Sequence, residues 1–163
     1  MSGKSIIVVG GTGTGKSTFI KDRLKKVHKN SIHLYDVNKE YVDFYNKPFT
    51  SFEKFAKTSQ KISDGVLVYE EATIFLSNKG ANDAVRDVLV RKRHTNNTIF
   101  FIFHSLRTVP RWIFDLSNFV VVFKTNDSEG FIDSRFENEL LTACFKEVNT
   151  NPDKHYHKVF SIY

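Results

Sequence analysis

Five short, nearly unbroken apolar runs punctuate the chain, at 5–10, 31–35, 65–69, 98–103 and 119–123. Runs of this length, apolar at successive positions, predict strands covered on both faces. A sixth strand is predicted at 156–162. Between the runs the period changes. Residues 81–93 set Ala81, Ala84, Val85, Val88 and Leu89 on one helical face. Residues 134–148 align Phe136, Leu140, Cys144 and Val148. Two further helices are predicted at 18–28 and 52–59. Strands alternating with helices predict an α/β fold, a mostly parallel central sheet flanked by helices on both faces. Turn residues cluster at 126–130 and 149–153 and read as connections. The chain shows no repeat, low-complexity tract or linker, so one domain over 1–163 is expected.

In sheets of this kind ligands bind beyond the carboxyl ends of the strands. Four of those ends are polar here: Gly10 onward, Asp36, Glu70-Glu71 and His104-Ser105. The first is the most specific. Gly10-Gly11-Thr12-Gly13-Thr14-Gly15-Lys16-Ser17 is a complete G-x-x-x-x-G-K-S phosphate loop (Walker A), set between a strand and a helix expected from Thr18 onward. Its glycines let backbone N–H groups turn inward onto phosphate oxygens. Lys16 can reach the β- and γ-phosphates and the Ser17 hydroxyl can ligate Mg²⁺. The helix start adds partial positive charge. The chain is therefore expected to bind ATP with Mg²⁺.

The run Val66-Leu67-Val68-Tyr69 ends in two carboxylates, the place of a Walker B acid pair. Glu70 is assigned to the metal, although Asp is usual there and the extra methylene displaces the carboxylate by about 1.5 Å. Glu71 is assigned as the catalytic base. Two solvated acids opening a helix would look alike, because negative charge is favoured there. The run 98–103 ends in His104 and Ser105. A polar side chain on a strand beside the phosphate-loop strand can sense the γ-phosphate or orient water. His104 and Ser105 are the candidates, with a structural histidine as the alternative.

Composition changes the picture little. Forty per cent of the 163 residues are hydrophobic, and sixteen phenylalanines make the expected core aromatic. A net charge of +6 and a pI near 9.4 favour a polyanionic partner. A lone Cys144 cannot form an internal disulfide, fits a reducing compartment and is expected in the core. No apolar run approaches a membrane span, and because the N-terminus runs directly into the first strand no signal peptide is expected.

Together the phosphate loop, the terminal Glu70-Glu71 and the polar end of the fourth strand resemble the FtsK/HerA group of P-loop ATPases. Asp36-Val37-Asn38-Lys39-Glu40-Tyr41 resembles the Asp-x-x-x-Glu-Tyr segment common in that group. Arg91-Lys92-Arg93-His94-Thr95-Asn96-Asn97 and Ser105-Leu106-Arg107-Thr108-Val109-Pro110 are similar to stretches of viral and phage genome-packaging ATPases, and more distantly of Zot-like assembly ATPases. The likeness covers residues 5–127; Glu70 for Asp and His104 for Gln depart from it. It implies a three-layer, RecA-like (ASCE) fold. It implies a ring homo-oligomer, hexamer or pentamer, that hydrolyses ATP to move DNA without sequence preference into a preformed capsid. A capsid or portal-vertex protein would be its docking partner, and the host cytoplasm or virion its place. It also implies an arginine supplied by a neighbouring subunit. Arg93 ranks first and Arg107 second, with Arg91 and Arg111 behind. Lys79, in 77–80, is a candidate for a DNA-gripping loop. The competing readings are a Zot-like morphogenesis ATPase, a small nucleotide or nucleoside kinase, and a nucleotide-binding structural subunit with little turnover.

Overall fold

The apolar runs pair as one six-stranded sheet, whose strands lie in the spatial order 32–35, 66–69, 98–103, 4–9, 119–122 and 158–161. The computed structural model describes residues 3–44, 49–75 and 79–163. Its strands are β1 (Lys4–Val9), β2 (Ile32–Tyr35), β3 (Val66–Tyr69), β4 (Thr98–Phe103), β5 (Phe119–Val122) and β6 (Lys158–Ser161). The helices are α1 (Lys16–Leu24), α2 (Phe52–Ser59), α3 (Lys79–Arg91), α4 (Arg111–Leu116), α5 (Glu129–Phe136) and α6 (Glu139–Thr150). Strands β1 to β5 run parallel, and β6 runs antiparallel to β5.

The continuous apolar runs have two partners, as expected. Ile7, Val9, Leu67, Tyr69, Ile99 and Phe101 face a core built with α2 to α6. The alternate residues Val8, Val68, Phe100, Ile102 and Val121 face Ile20 and Leu24 of α1 together with Tyr41. The layers are unequal: among the described residues five α-helices cover the first face and α1 covers the second. Much of the thick layer is aromatic: Tyr69 stacks on Phe101 with centroids 4.9 Å apart and packs against Phe55 at 4.7 Å.

Registers explain why the polar strand ends converge. Val9 lies opposite Phe103 and Val122, and Tyr69 opposite Tyr35 and Phe101. The residues that follow leave the sheet at one edge. Strand β4 sits between β1 and β3, so His104 emerges between the phosphate loop and the acid pair.

Several expectations for the helices need correction, beginning with the one expected at 18–28, which runs Lys16–Leu24. The single helix expected at 134–148 is two. Glu137 adopts a left-handed conformation (φ 51°) and Asn138 caps α6, accepting a hydrogen bond from the Leu141 N–H at 3.0 Å. This break turns the inward stripe to Leu141, Cys144, Phe145 and Val148, and leaves Leu140 73% exposed. Residues 129–130, expected in a turn, open α5 under a Ser128 cap, and 149–150 close α6. Helix α4 was not predicted, because six residues are too few to establish a period. Within the expected DNA-gripping loop, residues 77 and 78 lie outside the described residues, and Lys79 opens α3. No helix among the described residues is long and apolar enough to cross a membrane.

Candidate nucleotide site

Strand β1 stops at Val9 because the chain must turn sharply into α1. Gly15, the residue before α1, has φ 103°, a conformation costly to any side chain. Gly10 is confined differently: a Cβ there would stand 2.5 Å from the Phe123 Cβ. Thr14 stiffens the loop by donating its hydroxyl to the Gly11 carbonyl at 2.8 Å. Lys16 is buried, and its ammonium donates to the carbonyls of Gly10 at 2.7 Å and Gly11 at 2.9 Å. Two of its three N–H groups are so used, and the third is left for an anion. Burial pulls the Lys16 pKa below the usual range, while Glu70, Glu40 and Glu71 oppose that pull.

Ser17 donates to a carboxylate the acid-pair reasoning did not include, Glu40 Oε2. Glu40 is held by the turn after β2. There the buried Asp36 accepts the Glu40 N–H at 3.0 Å and the Tyr41 N–H at 2.8 Å. Asp36, Glu40 and Tyr41 were visible in the sequence as the Asp-x-x-x-Glu-Tyr segment. The structure gives that spacing a local reason: one carboxylate ties down the turn that carries the other.

Glu70 is 4% exposed, and its pKa is pushed up to about 7. Burial is the main cause. The Tyr41 hydroxyl works against it, while the negative charges of Glu40, Glu71 and Asp36 add to it. Glu70 Oε2 is buried without a hydrogen-bond partner of ordinary geometry, as is the Tyr41 hydroxyl. A buried carboxylate oxygen without a well-formed hydrogen bond suits a cation. Ser17 and Glu70 therefore fit Mg²⁺ and are the residues that would hold it. Among the described residues no cluster of three or more His, Cys, Asp or Glu forms an all-protein metal cage.

Glu71 leaves β3 in the left-handed region (φ 52°), which non-glycine residues seldom adopt and which often marks a functional site. Its Oε1 lies 2.6 Å from His104 Nε2 and 3.4 Å from Asn38 Nδ2. Residues 12, 13 and 15–18 surround one cavity of about 570 Å³ together with Asn38, Glu40, Glu70, Glu71, His104 and His155. Ser105 lines a neighbouring cavity instead, with Gly11, Arg107 and Asp127, and its hydroxyl donates to Thr108 Oγ1 at 3.5 Å.

The four candidate arginines separate in space. Arg93 is exposed in the turn before Thr98, at the amino edge of the sheet, so the length of β4 lies between it and the loop. Six strand residues span roughly 20 Å. That turn has a structural task of its own: Asn97 is buried and bonds the Gly65 N–H and the Ile62 carbonyl at 2.9 and 2.7 Å. Arg107 lies beside the phosphate loop, 3.9 Å from Asp127 and over the Phe131 ring. Arg91 pairs with Asp87 and Arg111 with Asp115.

His155 was missed. Strand β6 is antiparallel, so it starts at the carboxyl edge of the sheet, where Lys158 lies opposite Val122. The turn before it brings His155 to Gly15, its Nδ1 3.3 Å from where a Cβ of that glycine would stand. Strand direction was not readable from the 156–162 pattern.

No protein-family model matches the sequence, and no curated protein matches it. Solved structures do match. The fold is that of the RecA-like P-loop ATPases. Among the similar structures is the DNA-packaging ATPase B204 of Sulfolobus turreted icosahedral virus, at 16% identity and a TM-score of 0.76 over 99% of this chain and 93% of that one. The genome-packaging NTPase B204 of Sulfolobus turreted icosahedral virus 2, in complex with AMPPCP, matches at 20% identity and 0.74 over 98% of each chain. ATPases 2 and 3 of EssC from Geobacillus thermodenitrificans match at 11% and 0.62, over 96% of this chain and 37% of that one. These are the fold neighbours that the resemblance to FtsK/HerA-type and packaging ATPases implies.

Proposed function

We propose that this chain is a single-domain ATPase whose hydrolysis drives DNA, without sequence preference, into a preformed viral or phage capsid. One observation carries the reading. A phosphate loop faces an acid pair across an inserted strand, on a fold shared over nearly its whole length with B204.

Residues Gly10 to Thr18 hold the triphosphate through backbone N–H groups, and Lys16 neutralises its β- and γ-phosphates. Ser17 and Glu70 hold Mg²⁺, which when bound draws electron density from the phosphate oxygens. Glu71 takes a proton from water as the water oxygen attacks the γ-phosphorus. The bond to the bridging oxygen breaks, and ADP and phosphate leave. His104 fixes the Glu71 carboxylate through its 2.6 Å contact. Arg93, remote from its own loop, serves the site of a neighbouring subunit in a closed hexameric or pentameric ring. Such arginines contribute roughly 10³–10⁵ in rate. The basic surplus grips the DNA backbone, and a capsid or portal-vertex protein anchors the ring in the host cytoplasm or virion.

The test is inorganic phosphate release from ATP with and without duplexes of unrelated sequence, at two salt concentrations. The reading expects release that DNA stimulates, equally for each duplex and more weakly at high salt. Dependence on a small-molecule acceptor that becomes phosphorylated would instead identify a kinase.

A further inference from the structure

The phosphate cavity opens in two directions. On one side it shares Thr12 and His104 with a polar cavity of about 340 Å³ that contains Arg107 and Asp127. On the other it shares Gly15, Thr18 and His155 with a cavity of about 430 Å³ between α1 and the start of β6. The two openings differ in chemistry. His104 and the Glu71 it contacts stand on the first side. The second is built on rings.

His157 is the centre of that second cavity. One face of its ring stacks on Phe123, with centroids 4.6 Å apart and planes 25° from parallel. Phe19 of α1 meets it edge-on at 5.3 Å, and Arg23 lies over Phe19 at 4.5 Å. The residue is nonetheless exposed, so the platform is supported from below and open above. The turn that carries it is fixed. Asp153 accepts the His155 N–H at 2.9 Å, and Glu147 takes the Tyr156 hydroxyl at 2.6 Å and the Lys158 ammonium at 2.5 Å.

A nucleotide whose terminal phosphate lies at Glu71 must leave the phosphate cavity by the opening away from Glu71. We propose that the α1–β6 cavity is the nucleobase subsite, with the base lying on the open face of His157, and that it accepts either purine. This rests on the phosphate-loop reading. A ring platform holds a base through its π-face, which every base possesses. Strong discrimination between bases needs buried polar groups that one base satisfies and another leaves unpaired. The polar side chains around the platform, Thr18, Asp22, Arg23 and His155, are exposed, and Asp22 is already paired with Lys25 at 2.8 Å.

The experiment measures equilibrium binding of ATP, GTP and inorganic tripolyphosphate to the full chain and to His157→Ala and His157→Phe. In the wild type, ATP and GTP should bind within about threefold of each other, and both about tenfold or more tighter than tripolyphosphate. His157→Ala should weaken both nucleotides about tenfold and leave tripolyphosphate unchanged, and His157→Phe should restore them. Wild-type nucleotide affinity in a folded His157→Ala protein overturns the subsite. So does equal loss of tripolyphosphate, or a preference for one purine beyond about a hundredfold. If the wild type binds none of the three, the phosphate-loop reading itself fails and takes the subsite with it.

Discussion

His104 Nε2 and Glu71 Oε1 lie 2.6 Å apart, joining the end of β4 to the end of β3 across the mouth of the candidate site. The carboxylate belongs to a residue in a strained backbone conformation, and the imidazole is one of two contacts that hold it. His104→Ala should therefore lower kcat about tenfold with little change in ATP affinity, because it frees the Glu71 side chain without touching the phosphate loop. His104→Gln, which can keep one donor near Oε1, should recover part of the loss. Steady-state kinetics and equilibrium binding on the three proteins check this. A rise in KM with unchanged kcat would move His104 from positioning to substrate binding.

Much of the site was legible in the sequence because its parts are local. The phosphate loop is eight consecutive residues, and Glu70-Glu71 and His104 directly follow apolar runs that must be strands. The segment carrying Asp36, Glu40 and Tyr41 stood out only by resemblance; its turn and the contact of Glu40 with Ser17 were not predicted. What was not legible depends on how distant segments meet. The sequence does not state that β6 is antiparallel, so it hid His155 and His157. Glu137 has no residue-type signal for its left-handed conformation, so α5 and α6 read as one helix and Leu140 as core. The contact between Glu71 and His104, 33 positions apart, needed the strand order.

Lys16→Ala should abolish tight ATP binding while the protein stays folded. The side chain is the cation of the phosphate cavity and bridges the carbonyls of Gly10 and Gly11. Calorimetry with the variant, beside a circular dichroism melt, gives both readouts. Wild-type affinity would defeat the phosphate-loop assignment.

Glu70 makes stability depend on pH in a defined direction. Its carboxyl titrates near 7 in the folded protein and near 4.5 when unfolded. The unfolded state releases this proton first. The contribution is full below about pH 4.5 and is lost as pH rises through 7. The shift corresponds to at most about 3 kcal/mol. Without Mg²⁺, Glu70→Gln should be more stable than wild type at pH 8, and the difference should shrink towards pH 5. Denaturant melts at the two pH values measure it; a pH-independent difference would mean that burial does not govern Glu70.

Asp36→Ala should destabilise the fold by about 2–3 kcal/mol. It strips the acceptor from two backbone N–H groups, those of Glu40 and the buried Tyr41. The same change releases Glu40 from Ser17, so ATP affinity measured in Mg²⁺ should change more than affinity measured in EDTA. Equal changes in both would confine Asp36 to a purely structural role.

The trans assignment of Arg93 is tested by mixing Arg93→Ala with Glu71→Gln subunits. Each should be inactive alone. Mixed rings contain boundaries with both groups intact, so partial ATPase activity should return. No recovery in rings shown to be mixed, or full activity of Arg93→Ala alone, would move attention to Arg107 beside the loop.

The most direct test of the whole account is single-turnover hydrolysis by Glu71→Gln with ATP binding measured on the same sample. The amide keeps the shape and the contact with His104 but cannot take a proton. The account predicts wild-type ATP affinity and hydrolysis slowed at least about a hundredfold. Hydrolysis at the wild-type rate, with Glu70→Gln inactive instead, would contradict it.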